Sequence, residues 1–442
     1  MAYRFMYSIS IALLCWLPVT RSAVVQAEVA DDTQVFAEAD RRIEEHRKVD
    51  GEIVVFDSKG RPVKDVEISI AQTRHAFLFG CNIFKFGSFE DPKEEATYRD
   101  RYREVFNFAT LPFYWPQYEP RRGAPRHAKA EATARWCREQ GIRTKGHPLA
   151  WNYSDPRWLP EDSEEILRLQ RERISDCVSH LKGLIDTWDV VNEATHFERG
   201  EFKRRAPKMT KMWEDTGRME FVDQCFKVAR AANPEATLLI NDYRNDSAYA
   251  KLIDDMTEMA GKRPYDVIGL QSHMHGGVWD NAKIWEVCER FRRFDVPLHF
   301  TELTILSGER GWERSEEWPS TEEGERRQAE EVERVYTMLF SHPSVTAITW
   351  WDFTDRHAWQ RAPAGFLRQD LSPKPAYQKL VSLVKEKWWT NLKGTTAADG
   401  RFQFRGFMGD FVISARTGDG RTAEQKVTLT KTDANHFELR FE

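Results

Sequence analysis

The sequence predicts an α/β protein: a (β/α)8 barrel of the TIM type, with a small accessory β module built from its N- and C-terminal flanks. Three observations predict it. Eight short apolar runs recur between residues 76 and 351, separated mostly by longer segments of helical periodicity. The runs are continuously apolar, as strands buried on both faces must be, and do not alternate. Polar residues gather where the runs end: His147, Asn192 and Glu193, Asn241 and Asp242, Gln271 and His273, Glu302, and Asp355 just past the last run. In a closed barrel those ends form one rim, where such folds build their sites.

The predicted strands are 76–80, 106–111, 144–150, 187–192, 237–241, 267–271, 298–302 and 347–351. Helical periodicity covers 128–140, 163–181, 219–232, 248–260, 282–292, 326–340 and 376–386. Ahead of the barrel, 36–47 is helix-prone. Segments 51–56 and 66–70 read as a hairpin about a turn at 57–60. After Trp388 the pattern alternates at 400–407, 410–415 and 425–429, with Gly turns. A module of about 55 residues is near the limit for folding alone. It is therefore expected to join the 51–75 segment in one sandwich. The expected organisation is an export signal at 1–27, a helix and hairpin at 28–75, the barrel at 76–388 and the β module at 389–442. The segment 308–325 follows the seventh strand and is expected to wall the cleft.

A net charge of −5 argues against nucleic acid as a partner, since phosphate binding needs a basic surface. Arg4, the apolar run 9–17 and the small-residue site Val25-Gln26-Ala27 read as a cleavable signal. The run is too short to span a bilayer. The mature chain is therefore expected to be secreted or periplasmic, without stable membrane insertion, and monomeric. Beyond the signal, Cys81, Cys137, Cys177, Cys225 and Cys288 are odd in number, widely spaced and without a CxxC pair. Neither a disulfide framework nor a zinc site is encoded; buried thiols with at most one or two bridges are expected. No HExxH, P-loop or GxGxxG is present, and no metal or cofactor is expected.

The rim offers two carboxyl groups at the ends of strands four and seven, Glu193 and Glu302, which face each other across a barrel mouth. Such a pair suits cleavage of a glycosidic bond. One carboxyl, kept protonated, donates to the leaving oxygen, and the other, ionised, attacks. Asn192 can hydrogen-bond a sugar hydroxyl and His273 can hold Glu302 ionised. Burial and repulsion from Glu302 would keep the proton on Glu193. The sixteen Trp residues suit a substrate whose C–H faces stack on indoles. Asp189 is expected to be structural, facing the helix layer or capping.

These residues resemble glycoside hydrolase family 10, the retaining β-xylanases, over residues 76–386. Trp188-Asp189-Val190-Val191-Asn192-Glu193 is similar to the family's acid/base signature and Thr301-Glu302-Leu303 to its nucleophile signature. Lys145-Gly146-His147-Pro148-Leu149-Ala150-Trp151, Asn241-Asp242-Tyr243, Gly269-Leu270-Gln271-Ser272-His273, and Trp351, Asp355 and Trp359 resemble further family motifs, in order and at barrel spacing. The resemblance implies an endo-1,4-β-xylanase acting on polysaccharide or oligosaccharide. Its catalytic residues would be Glu193 and Glu302, and its substrate-binding residues His147, Trp151, Asn192, Tyr243, Gln271, His273, Trp351 and Trp359. The alternatives are a retaining hydrolase of the same fold on another or a decorated β-glycan, and a non-hydrolytic carbohydrate-binding protein. Four departures stand out. After strand two the family's Glu-Asn and Lys give way to Thr110-Leu111-Pro112-Phe113-Tyr114-Trp115, whose aromatics are expected to stack on sugar. Asn152 stands where His is common, Thr304 where Asp is, and Asp352 where Gly is.

Overall fold

The computed structural model describes residues 32–312, 318–432 and 434–442. Residues 1–27, expected to be an export signal, and part of the 308–325 segment lie outside them. Eight parallel strands close into a barrel: Leu78–Asn82, Phe108–Pro112, Arg143–His147, Thr187–Asn192, Thr237–Asp242, Val267–Leu270, Leu298–Leu303 and Val345–Trp350, the last pairing with the first. They are called strands one to eight below. The barrel expected from the sequence is thus present. Strand one begins two residues later than expected, because the accessory strand runs to His75. Strand two does so because Phe106 caps the preceding helix.

The helices start where short polar side chains satisfy their first free N–H groups. Asp91, Asp162, Asp246, Asp280 and Thr321 each accept from a backbone N–H of the first turn. Each such cap stabilises its helix by about 1 kcal/mol. The helix Pro92–Val105, between strands one and two, was not expected. It is highly charged, and its buried face is carried by Tyr98, Tyr102 and Val105.

The flanks form two sheets. One orders Arg401–Phe407, Lys48–Phe56 and His436–Arg440; the other orders Asn391–Thr395, Glu67–His75, Gly409–Arg416 and Thr422–Leu429. Their inner faces share a core of Ile53, Val55, Ile68, Ile70, Phe404, Phe411, Ile413 and Leu439. The sandwich from both chain ends is as expected, but the hairpin is not. Lys48–Phe56 and Glu67–His75 lie in different sheets, each paired with C-terminal strands. Alternation tells which residues face inward, not which strand lies alongside. The helix Ala39–Arg47 ties this module to the barrel. The buried Arg47 guanidinium donates to the carbonyls of Phe340, His342 and Val345.

All five described cysteines are free and buried, so no bridge forms among them. No described helix is long and apolar enough to cross a membrane.

Candidate active site

The rim residues converge on one polar cluster, except Asp355, which pairs with Lys374 Nζ at 2.7 Å. Glu302, at the end of strand seven, accepts from Asn241 Nδ2 at 2.9 Å on one oxygen and contacts His273 Nε2 at 3.0 Å on the other. His147 Nε2 stands 3.9 Å from the same carboxylate. Glu193 accepts from Gln271 Nε2 at 3.1 Å and from Asn192 Nδ2 at 3.5 Å. Asn192 in turn accepts from Asn241 at 2.8 Å and from Gln271 at 3.2 Å. One amide network therefore links the two carboxyl groups. Asn241 reaches inward because strand six has no side chain beside it: a Cβ on Gly269 would stand 2.4 Å from Asn241 Oδ1.

The two carboxyls are pushed in opposite directions. Burial raises Glu193 to about 7, reinforced by Asp242 and Glu302 and opposed by Arg199 and the Gln271 hydrogen bond. Burial acts upward on Glu302 as well, but His147, the His273 hydrogen bond and Lys145 outweigh it and hold the group below the usual glutamate value. Near neutral pH one carboxyl can carry a proton while the other is ionised, the condition for acid/base and nucleophilic work by one pair. Glu193 also has left-handed backbone torsions, φ 58° and ψ 40°. A non-glycine residue held there costs about 1–3 kcal/mol, strain that clusters at functional positions.

An aromatic wall surrounds the pair. Trp351 meets His147 and His273 edge-on at 5.2 and 5.9 Å, and Trp359 covers His273 at 4.5 Å. Trp151 stacks on Tyr153 at 4.5 Å and lies 6.0 Å from Tyr114. The Tyr243 hydroxyl pairs with His196 Nδ1 at 3.1 Å, and its ring lies under Arg199. All ten residues singled out from the sequence thus lie at this mouth.

Several neighbours were missed or misplaced. Asp189 does not face the helix layer. It is wholly buried, 2.7 Å from both His147 Nδ1 and Lys145 Nζ. A register shift between Asp189 and Val191 breaks the strand's alternation, which lets Asp189 and Asn192 both point into the barrel. Arg199 donates from Nη2 to Glu193 Oε2. Thr304, at the position where Asp is common, lies 3.3 Å from His273 Nδ1. Asn152 instead pins a loop, donating to Phe197 O and Thr210 Oγ1.

Of the three strand-two aromatics only Tyr114 borders the cleft, against His147 at 5.7 Å; Phe113 and Trp115 are buried. Asp352 is a further buried carboxyl, accepting from the Trp359 N–H at 3.0 Å. Burial pushes it up to about 7, with Trp359 N–H and Lys85 opposing. Among the described residues no cluster of three His, Cys, Asp or Glu side chains could hold a metal.

The sequence pattern described as Glycosyl hydrolase family 10 matches residues 75–383, more than half of the chain. The chain belongs to glycosyl hydrolase family 10. As a family 10 protein it is 28% identical over 388 residues to the anti-sigma-I factor RsgI6 of Acetivibrio thermocellus. That match covers 85% of this chain and only 46% of the relative. It is 27% identical over 315 residues to endo-1,4-beta-xylanase B of Thermotoga neapolitana, covering 65% of this chain and 84% of the relative. Native xylanase 10B from Thermotoga maritima superposes with a TM-score of 0.59 at 26% identity, over 71% of this chain and 96% of that one.

Proposed function

We propose that this family 10 protein is an exported retaining glycoside hydrolase that cleaves β-1,4-linked plant cell-wall polysaccharide, with xylan as substrate: an endo-1,4-β-xylanase. Glu302 attacks the anomeric carbon while Glu193 protonates the departing glycosidic oxygen, leaving a glycosyl ester on Glu302. The observation that carries this reading is the pair of buried carboxyls joined by one amide network at the barrel mouth, with Glu193 pushed up to about 7 and Glu302 down. Ester formation removes the Glu302 charge, and with it the repulsion that helps keep Glu193 protonated. Glu193 then deprotonates the water that releases the sugar with its configuration retained. Asp189 holds His147 beside Glu302, and Asn192, which contacts Glu193 Oε1, hydrogen-bonds the sugar next to the cleaved bond.

A second reading, the same chemistry on another or a decorated β-glycan, draws on the cleft-facing Tyr114, where the family usually places a polar strand-two motif.

The test is to incubate wild type and Glu302→Ala with glucuronoxylan, mixed-linkage β-glucan and an aryl β-xylobioside and to count new reducing ends. Xylan cleavage lost in the variant supports the xylanase. Cleavage of another glycan, also lost, keeps the mechanism and replaces the substrate. Binding without any cleavage refutes the enzyme and brings forward a carbohydrate-binding protein.

A further inference from the structure

Trp312 is the one tryptophan among the described residues that is exposed, 54% of its surface facing solvent. An indole open to solvent on a rim presents a flat apolar face that a ligand can cover. Its other face is braced. The ring stacks on His275 at 5.0 Å and 29°, and its Nε1 lies along Gly276, where an added Cβ would stand 3.4 Å away. The backbone is pinned too, Gly311 N–H donating to His275 O at 2.9 Å. His275 is wholly buried and in turn meets Trp359 at 5.3 Å and Trp318 edge-on at 6.2 Å. Burial holds the imidazole near 3, so it remains a neutral, flat support. Trp359 then covers His273, the partner of Glu302. A continuous aromatic strip therefore runs from the catalytic mouth to one exposed indole face.

We infer that Trp312 is an outer sugar platform, stacking the C–H face of a pyranose ring of the bound glycan beyond the residues at the cleaved bond. This rests on the reading of the cleft as a glycan site and adds to it a residue that sets preferred chain length. The indole offers a flat negative face to polarised C–H bonds and needs no hydrogen bond, so it tolerates variation in the sugar. Trp312 touches no reacting atom. Its contribution is confined to substrates long enough to reach it.

The test compares wild type, Trp312→Ala and Trp312→Phe on xylo-oligosaccharides of two to six sugars and on an aryl β-xylobioside. The expected result for Trp312→Ala is a roughly five- to tenfold loss of kcat/KM on the longest oligosaccharides. The loss should fall in KM, the aryl substrate should be unaffected, and the Phe variant should recover much of it. An unchanged length profile overturns the platform, and so does an equal loss on the aryl substrate, which marks a structural role. If wild type cleaves none of these, the xylanase reading fails separately. The same proteins are then titrated with xylo-, cello- and mannohexaose by indole fluorescence. A saturable change absent from Trp312→Ala upholds the platform; no change, or the same change in the variant, overturns it.

Discussion

Arg199 donates from Nη2 to Oε2 of Glu193, setting a permanent cation against the carboxyl that the proposed chemistry needs protonated. The guanidinium packs between Phe202 and Tyr243, at 4.0 and 4.8 Å, so it is held there. Burial outweighs it, and Glu193 still rises to about 7. Arg199 therefore sets how far the proton's affinity climbs.

Removing that cation by Arg199→Gln should raise Glu193 further. Because Glu193 works protonated, activity falls as pH rises through its value, so the alkaline limb of kcat/KM moves upward in the variant. A shift of about one unit corresponds to about 1.4 kcal/mol of lost interaction. The acid limb, set by Glu302 below its usual range, stays in place. A pH–rate profile checks both limbs; a downward move of the alkaline limb contradicts the assignment.

Asp189→Asn should be costly on two counts. It leaves Lys145 buried without its counter-charge, a loss of about 3–5 kcal/mol. It also replaces the charged acceptor that fixes His147, which stands beside Glu302, by a neutral amide oxygen that holds it less strongly. Denaturant titration should show the lost stability, and kcat should fall at least tenfold at temperatures where the variant is folded. A folded variant of full stability and activity would make Asp189 dispensable.

Gly269→Ala tests the amide network without touching a carboxyl. The added carbon displaces the Asn241 amide, whose hydrogen bonds to Asn192 and Glu302 are then lost. The bond to the charged Glu302 alone contributes about 1.5–3 kcal/mol, so kcat should fall roughly ten- to a hundredfold with the circular dichroism spectrum unchanged. Wild-type kcat in a folded variant would show that the network does not govern catalysis.

Asp352 and Glu193 are both pushed up to about 7, and a substitution separates them. Asp352→Asn keeps an oxygen for the Trp359 N–H but cannot ionise. The variant should keep the alkaline limb of kcat, which belongs to Glu193, and lose any change of KM with pH across 6–8. Loss of the kcat limb instead would move the essential proton to Asp352.

The sequence made the barrel and its mouth legible for a physical reason. Strands buried on both sides must be apolar, so the polar residues that end them stand out against their surroundings. That contrast marked Glu193, Glu302, His147 and Gln271 alike. It failed for Asp189, because a shifted register inside strand four undoes the alternation that assigns faces. It failed for Arg199, since a side chain folding back from a loop leaves no periodic trace. It also failed for the accessory hairpin: the strand between Lys48 and Phe56 has the composition of a hairpin arm, yet its partners are C-terminal.

The central claim is that Glu302 forms a covalent ester with the sugar while Glu193 shuttles the proton. The most direct measurement is peptide mass analysis after incubation with an activated 2-deoxy-2-fluoro-β-xylobioside, which slows release of the ester. The account predicts one added disaccharide, on the peptide containing Thr301-Glu302-Leu303. An adduct on Glu193, or none from a protein that turns over the unfluorinated aryl xylobioside, would contradict it.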